Sequence, residues 1–298
     1  MFTSPPNSLN SPPGIARHPP TRYNMIVDFS TALRERRIRR QLSQLDLASR
    51  AGTSQRHISF LESGRSTPGR AMVLRLADSL DLPLRERNTM LLSAGFAPVY
   101  TESPLDSPAL APVRDALEHV LRGYAPYPAV VIDRGGRVVA ANTAFGVLTE
   151  GAREDLLEPP LNVYRLALHP EGMAPRIRNF AQWSRHVVVN LHQAQMRNPD
   201  PRLAELHAEL ERYIPPLDED GEPLGFSVPL QLKTSKGDLQ LVTTVSTFAT
   251  AVDVTVSELR LEAFLPVDEA STAVLRGLSD AGRTVSAFWA SSTSVRDR

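Results

Sequence analysis

Between Ser54 and Ser66 the chain reads SQRHISFLESGRS. Gln and Arg are the side chains that can fork two hydrogen bonds onto one purine edge, Gln onto adenine and Arg onto guanine O6 and N7. Gln55, Arg56 and Ser59 share one side of a 3.6-residue repeat, and Ile58 lies on the other. A short helix divided in this way rests Ile58 on a core and holds its polar side out to a partner rich in hydrogen-bonding groups. Arg65 and Ser66 follow in the next loop, where they suit phosphate oxygens. Ser54 and His57 complete the polar end. Phe60 is read either as a contact to a thymine methyl or as packing.

Catalytic chemistry finds little support. The chain has no cysteine, which removes disulfides, thiolate metal sites and Cys nucleophiles and suits a cytoplasmic protein. His186 and His192 are six apart on one predicted helix and so point to different faces. No His-Glu-x-x-His or Gly-x-Ser-x-Gly motif occurs. The acidic run DEDGE at 218–222 lacks complete EF-hand spacing, and helix start or strand exit explains His169 in LALHPEGMAPR. The expectation is no enzyme, no metal and no cofactor.

Charge is balanced overall, with 33 basic and 33 acidic residues, but it is not evenly laid out. Residues 28–70 hold nine arginines against four acids, a net +5, whereas 200–270 hold fourteen acids against five bases, a net −9. A basic module fused to an acidic one points to a polyanion partner for the first. No apolar run approaches the ~20 residues that cross a bilayer. The N-terminal stretch has no apolar signal-peptide core, so no membrane partner is expected.

The elements that must position these residues follow from the pattern. Residues 1–24 carry three Pro-Pro pairs and little to bury, which predicts disorder, with Met25 as an alternative start. Five short helices are expected over 25–95: about 28–40, with Phe29, Leu33 and Ile38 near one face; one opened by Ser43 and stopped at Gly52; one from Thr53 or Ser54 to Gly64; about 69–80; and one from Pro83 to Gly95. A proline-rich stretch, with four prolines over 96–112, places a linker at 96–111. Beyond it lie a helix at 112–123, then strand, Gly-Gly turn and strand in PAVVIDRGGRVVAAN, and a helix capped by Asn142. A long helix after Pro175 and another at 201–213 precede three strands, with Leu259, Leu261, Ala263 and Leu265 alternating in the last. The fold class is multidomain: an all-α five-helix domain, then an α+β domain at 112–269. The latter would be a five-stranded antiparallel sheet with helices on one face, ending in a flexible tail at 270–298.

The run LRERRIRRQLSQLDLASRAGTSQRHISFLESG resembles the helix-turn-helix of phage repressors and of the xenobiotic-response-element class of bacterial regulators. Leu33 and Arg37 match the family's first helix, Ser43 and Gln44 the start of its second, and Leu47 and Ala48 its packing face. Gly52 matches the turn, Ile58 the recognition-helix core, and Glu62 and Gly64 its exit. The resemblance implies a double-stranded DNA operator. It places Gln44 at a phosphate or base edge and sets Ser54, Gln55, Arg56, His57, Ser59, Phe60, Arg65 and Ser66 on the DNA side.

AVVIDRGGRVVAANTAF resembles the opening of PAS sensor domains. With NVYRLALHPEGMAPRIRNFAQW and DVTVSELRLEAFLP, the region resembles the ligand-binding domain of MmyB-type regulators. That resemblance implies a small apolar effector such as a fatty acid. The expected mechanism is that the effector shifts the acidic domain's packing or the geometry of a homodimer. On the long helix, Phe180, Trp183 and Val187 are candidates to line a pocket, with Arg176 or Asn179 at its mouth for a carboxylate. The competing expectation is that this domain only mediates dimerisation or protein interaction, with a filled core.

Overall fold

Three capped helix starts set the N-terminal half. Asp28 accepts from the Ser30 amide, Ser43 forms a reciprocal capping box with Asp46, and Ser54 accepts from the His57 amide. They open α1 (Phe29–Arg39), α2 (Gln44–Arg50) and α3 (Gln55–Glu62); α4 (Arg70–Ser79) and α5 (Leu84–Ser93) follow. Gly52, at φ +60°, lets the chain leave α2 sharply, and the Thr53 amide returns to the Ala48 carbonyl. One core holds the five helices together, including Leu33, Leu47, Ala48, Ile58, Leu61, Val73, Leu76, Met90 and Leu91. Ile38, expected near the apolar face, is 55 % exposed.

The computed structural model describes residues 28–197, 199–215, 228–248, 250–278 and 285–287. The proline-rich segment 1–24, Met25 and the acidic run 218–222 lie outside the described residues.

The proline-containing stretch after α5 is tied down rather than free. Asn88 takes the amides of Val99 and Tyr100 and donates to the Tyr100 carbonyl. Thr101 accepts from the Val254 amide, and Asp253 accepts from the Ser103 amide.

The second half is built on an antiparallel sheet of β1 (Ala129–Ile132), β2 (Val138–Asn142), β3 (Leu230–Thr234), β4 (Gly237–Thr247), β5 (Arg260–Pro266) and β6 (Val285–Ala287), in the order β3-β4-β5-β1-β2-β6. The five expected strands are joined by a sixth short one, β6, which pairs with β2 inside the stretch expected to be tail. β1 is apolar throughout because both its faces are buried. Ala129 and Val131 meet Leu117 and Leu121 of α6 (Ala111–Gly123), whereas Val130 and Ile132 join the opposite core. Helices therefore cover both faces, not one.

On that opposite face lie α7 (Gly146–Thr149), α8 (Val163–Leu168), α9 (Phe180–Arg197) and α10 (Pro201–Leu210). A short α11 (Val254–Ser257) precedes β5, and α12 (Glu269–Leu278) follows it. The expectation of a frayed chain from 270 is corrected by α12. Its buried Ser271 accepts from the Gln240 amide of β4, and Leu275 is buried. α9 begins at Phe180 rather than directly after Pro175. Residues 174–176 form a 3-10 turn, and the Arg178 amide then donates to Gln231 of β3.

Candidate DNA-reading surface and ligand cavity

The α2–α3 corner is fixed by one carboxylate. Glu62, its side chain 4 % exposed, receives Arg37 through two hydrogen bonds of 2.6 and 2.9 Å and the Gln44 amide at 2.8 Å. Arg37 also donates to the Leu42 carbonyl at 2.7 Å, so it ties α1, the turn after it and the end of α3 together. Burial pushes the Glu62 carboxyl up, but the hydrogen bonds from Arg37 and Gln44 outweigh it and hold the group below the usual range. Gln44 thus reaches its helix start with its nitrogen occupied by Glu62.

Ser54, Gln55 and Arg56 are exposed, and His57, Ser59 and Phe60 are half-buried. The Phe60 ring lies under two guanidinium groups: Arg56 at 5.2 Å and Arg65 at 6.0 Å from its centroid. The Arg65 and Ser66 amides both return to the Phe60 carbonyl, so the loop that carries them is pinned to α3. Neither Arg56 nor Arg65 has a carboxylate within 4.0 Å among the described residues. The arginines of α1 differ. Arg36 and Arg39 meet Glu86, and Arg40 donates to the Asp81 carbonyl. Two guanidinium groups without a carboxylate thus stand on the side of α3 that Gln55 and Ser59 also face.

In the second half, α9 turns one face toward the sheet: Trp183, His186, Val187, Asn190, Leu191 and Ala194, at helical spacing. Across from it stand Thr243 and Val245 of β4 and Arg260, Glu262 and Phe264 of β5, with Tyr164 and Leu166 of α8 closing one side. These residues line an open-mouthed cavity of about 410 Å³, within the usual range for small-molecule sites. The Arg260 guanidinium donates to the Tyr164 hydroxyl at 2.9 Å. Tyr164 is itself seated against Gly136, whose φ of +79° and missing Cβ make room for the ring. Asn162 fixes the start of α8 by accepting from the Tyr164 and Arg165 amides while donating to the Gly135 carbonyl.

Of the five residues that the sequence suggested for a pocket, Trp183 and Val187 line this cavity and Arg176, Asn179 and Phe180 do not. Arg176 donates to the carbonyls of Val147 and Leu148 and lies 3.8 Å from the Glu150 carboxylate, away from the cavity lining. Asn179 is spent on the backbone of Pro229 and Gln231. Phe180 packs on the margin of the core. Sequence reasoning missed Tyr164, Arg260 and Glu262. The signal lay in the alternation of β5, whose polar positions 260 and 262 face the cavity rather than open solvent.

Two family descriptions match the chain: "Helix-turn-helix" over residues 33–87 and "MmyB-like transcription regulator ligand binding domain" over residues 113–278. Among solved structures, the restriction-modification controller protein C.AhdI from Aeromonas hydrophila is 34 % identical over 22 % of this chain and 98 % of its own, with a TM-score of 0.20. An RNA-binding Light-Oxygen-Voltage receptor is 15 % identical over 85 % of this chain and 63 % of its own, with a TM-score of 0.23. Nothing matches among the curated proteins. Both matched families are regulatory rather than enzymatic, and the second spans more than half of the residues. The chain belongs to the MmyB-like transcription regulators, carrying their ligand-binding domain behind a helix-turn-helix.

Proposed function

We propose that this DNA-binding regulator places α3 in the major groove of a specific operator and lets a small effector in its cavity govern that binding. Gln55, Arg56 and Ser59 read base edges, with Ser54, His57 and Phe60 beside them, while Gln44, Arg65 and Ser66 serve the backbone. The observation that carries this reading is the pairing of Arg56 and Arg65 over Phe60, exposed and free of carboxylates, while Arg36, Arg37 and Arg39 are committed to internal acids. A folded surface that leaves two guanidinium groups uncompensated beside a Gln and a Ser is suited to a polyanion.

The effector is small and mainly apolar, an alkyl amphiphile of fatty-acid size. The cavity favours an effector site over a dimerisation module with a filled core. The regulator works as a homodimer in the cytoplasm and is not a catalyst. Two copies of α3 then meet half-sites about one helical turn apart, and the effector alters that spacing. Selection of an operator from random duplexes, followed by binding measured against salt, tests the reading. A steep fall of log K with log salt is expected for the selected sequence. Equal affinity for all duplexes would overturn base reading by α3.

A further inference from the structure

The cavity holds an acidic and a basic side chain that make no ion pair with each other. Arg260 and Glu262 stand two residues apart on the same face of β5, yet no ion pair within 4.0 Å joins them. Arg260 keeps donors beyond the one given to Tyr164. The Glu262 carboxyl makes no hydrogen bond to any described residue, although the residue is half-buried. Burial pushes it above the usual carboxylate range, with Arg260 acting in the other direction. The surroundings offer it no substitute. His186 and Asn190 on α9 bond each other at 3.0 Å, and Thr243 and Val245 on β4 carry no charge.

A ligand head in this space must satisfy both groups at once, since side chains two apart on a strand are only about 6.5–7 Å from each other. A carboxylate seated on Arg260 would stand beside Glu262, and an ammonium seated on Glu262 would stand beside Arg260. Either ion gains one partner and meets one like charge. A head that donates to Glu262 and accepts from Arg260 meets no such conflict. The apolar remainder of the cavity, with Trp183, Val187, Leu191 and Phe264, suits a hydrocarbon body.

We propose that the cavity selects an uncharged amphiphile, a hydrocarbon chain ending in an amide or a hydroxyl, over the carboxylate or ammonium form of the same chain. The proposal rests on the reading of the cavity as the effector site. Its test is native mass spectrometry and calorimetry of the full-length protein with decanamide, 1-decanol, decanoate and decylammonium near neutral pH. The amide and the alcohol should bind about tenfold or more tightly than either ion. Glu262→Gln should raise decanoate affinity by about tenfold while leaving decanamide within a few-fold. Decanoate binding as tightly as decanamide to the unaltered protein overturns the head-group proposal and leaves the cavity reading standing. That comparison needs no variant to fold. If none of the four binds, the cavity reading falls and takes the proposal with it. If all four bind and Val187→Trp, which fills the cavity, leaves their affinities unchanged, binding lies elsewhere and both readings fall.

Discussion

Arg85 and Glu258 lie 173 residues apart in the chain, and the guanidinium of the first holds the carboxylate of the second through hydrogen bonds of 2.7 and 2.9 Å. Arg85 belongs to α5 of the DNA-binding half, and Glu258 directly follows α11 in the ligand-binding half. Glu102 joins Arg85 at 2.6 Å, and Arg134 reaches both Glu258 and Asp200, the residue that caps α10. Glu258 is also two residues before Arg260, which lines the cavity. The contact between the two halves thus shares a short segment with the cavity lining.

Cutting that contact should separate sensing from DNA binding. Arg85 stays about a third exposed, so Arg85→Ala should cost only about 1 kcal/mol of stability after allowance for solvent screening. The larger expected effect is on coupling: operator affinity of the variant should change less on effector addition than that of the unaltered protein. Operator binding with and without an effector, in both proteins, checks this. An undiminished response would show that communication bypasses Arg85.

The Glu62 latch makes the DNA-binding half acid-sensitive. The folded carboxyl lies below its usual value, so its contribution is fully present above the unfolded value of about 4.3 and is lost as pH falls through the lower folded one. Glu62→Gln should therefore destabilise this half at neutral pH by about 2–4 kcal/mol, because it leaves Arg37 buried without its anion. The difference between variant and unaltered protein should shrink toward pH 3. Denaturant melts at several pH values measure it directly.

Arg56 and Arg65 share the Phe60 ring but should fail differently. Arg56→Ala is expected to cost ~1–3 kcal/mol on the selected operator and to relax one base preference. Arg65→Ala should weaken all duplexes alike and flatten the salt slope by about 1. Phe60→Ala removes the shelf under both cations without removing charge, so affinity should drop while the salt slope holds. Competition binding on operator variants separates the three patterns.

Gly136 offers a test of the cavity that replaces no cavity-lining residue. A Cβ there would overlap the Tyr164 ring, and φ +79° already disfavours any other L-residue. Gly136→Ala should cost about 1–3 kcal/mol and also lower effector affinity, since Tyr164 positions Arg260. Gly123→Ala, with open space around it, serves as the control and should shift stability by less than about 1 kcal/mol. Melting curves and effector titrations of both variants provide the check.

The two halves were unequally legible in the sequence. α3 could be read because each constraint on it is local: Ser54 caps it, Gly52 turns into it, and Ile58 marks its inner side. The strands were legible for the same reason, by alternation and turns. The cavity was not. Leu261 and Ala263 marked one face of β5 as core, so its other face read as exposed, yet that face looks into a space closed by α8 and α9 from more than 65 residues away. Arg176 and Asn179 looked available because nothing in sequence reveals which carbonyls a side chain will meet. The backbone of 147–148 and of β3 takes them both.

The sheet order has a consequence for synthesis. The helices of the DNA-binding half close their core within residues 29–96, from neighbours along the chain. β1, in the interior of the sheet, pairs on one side with β5, where Val131 meets Leu261. That partner leaves the ribosome last among the strands that floor the cavity, and long-range strand pairing of this kind is slow. The proposed DNA-reading surface is therefore complete in the nascent chain well before the cavity is. A chain ended early by a stop codon or a protease, anywhere between Phe96 and Arg260, keeps α3 and lacks the strand bearing Arg260 and Glu262. Such a fragment would carry the proposed DNA-reading surface without the cavity proposed to govern it.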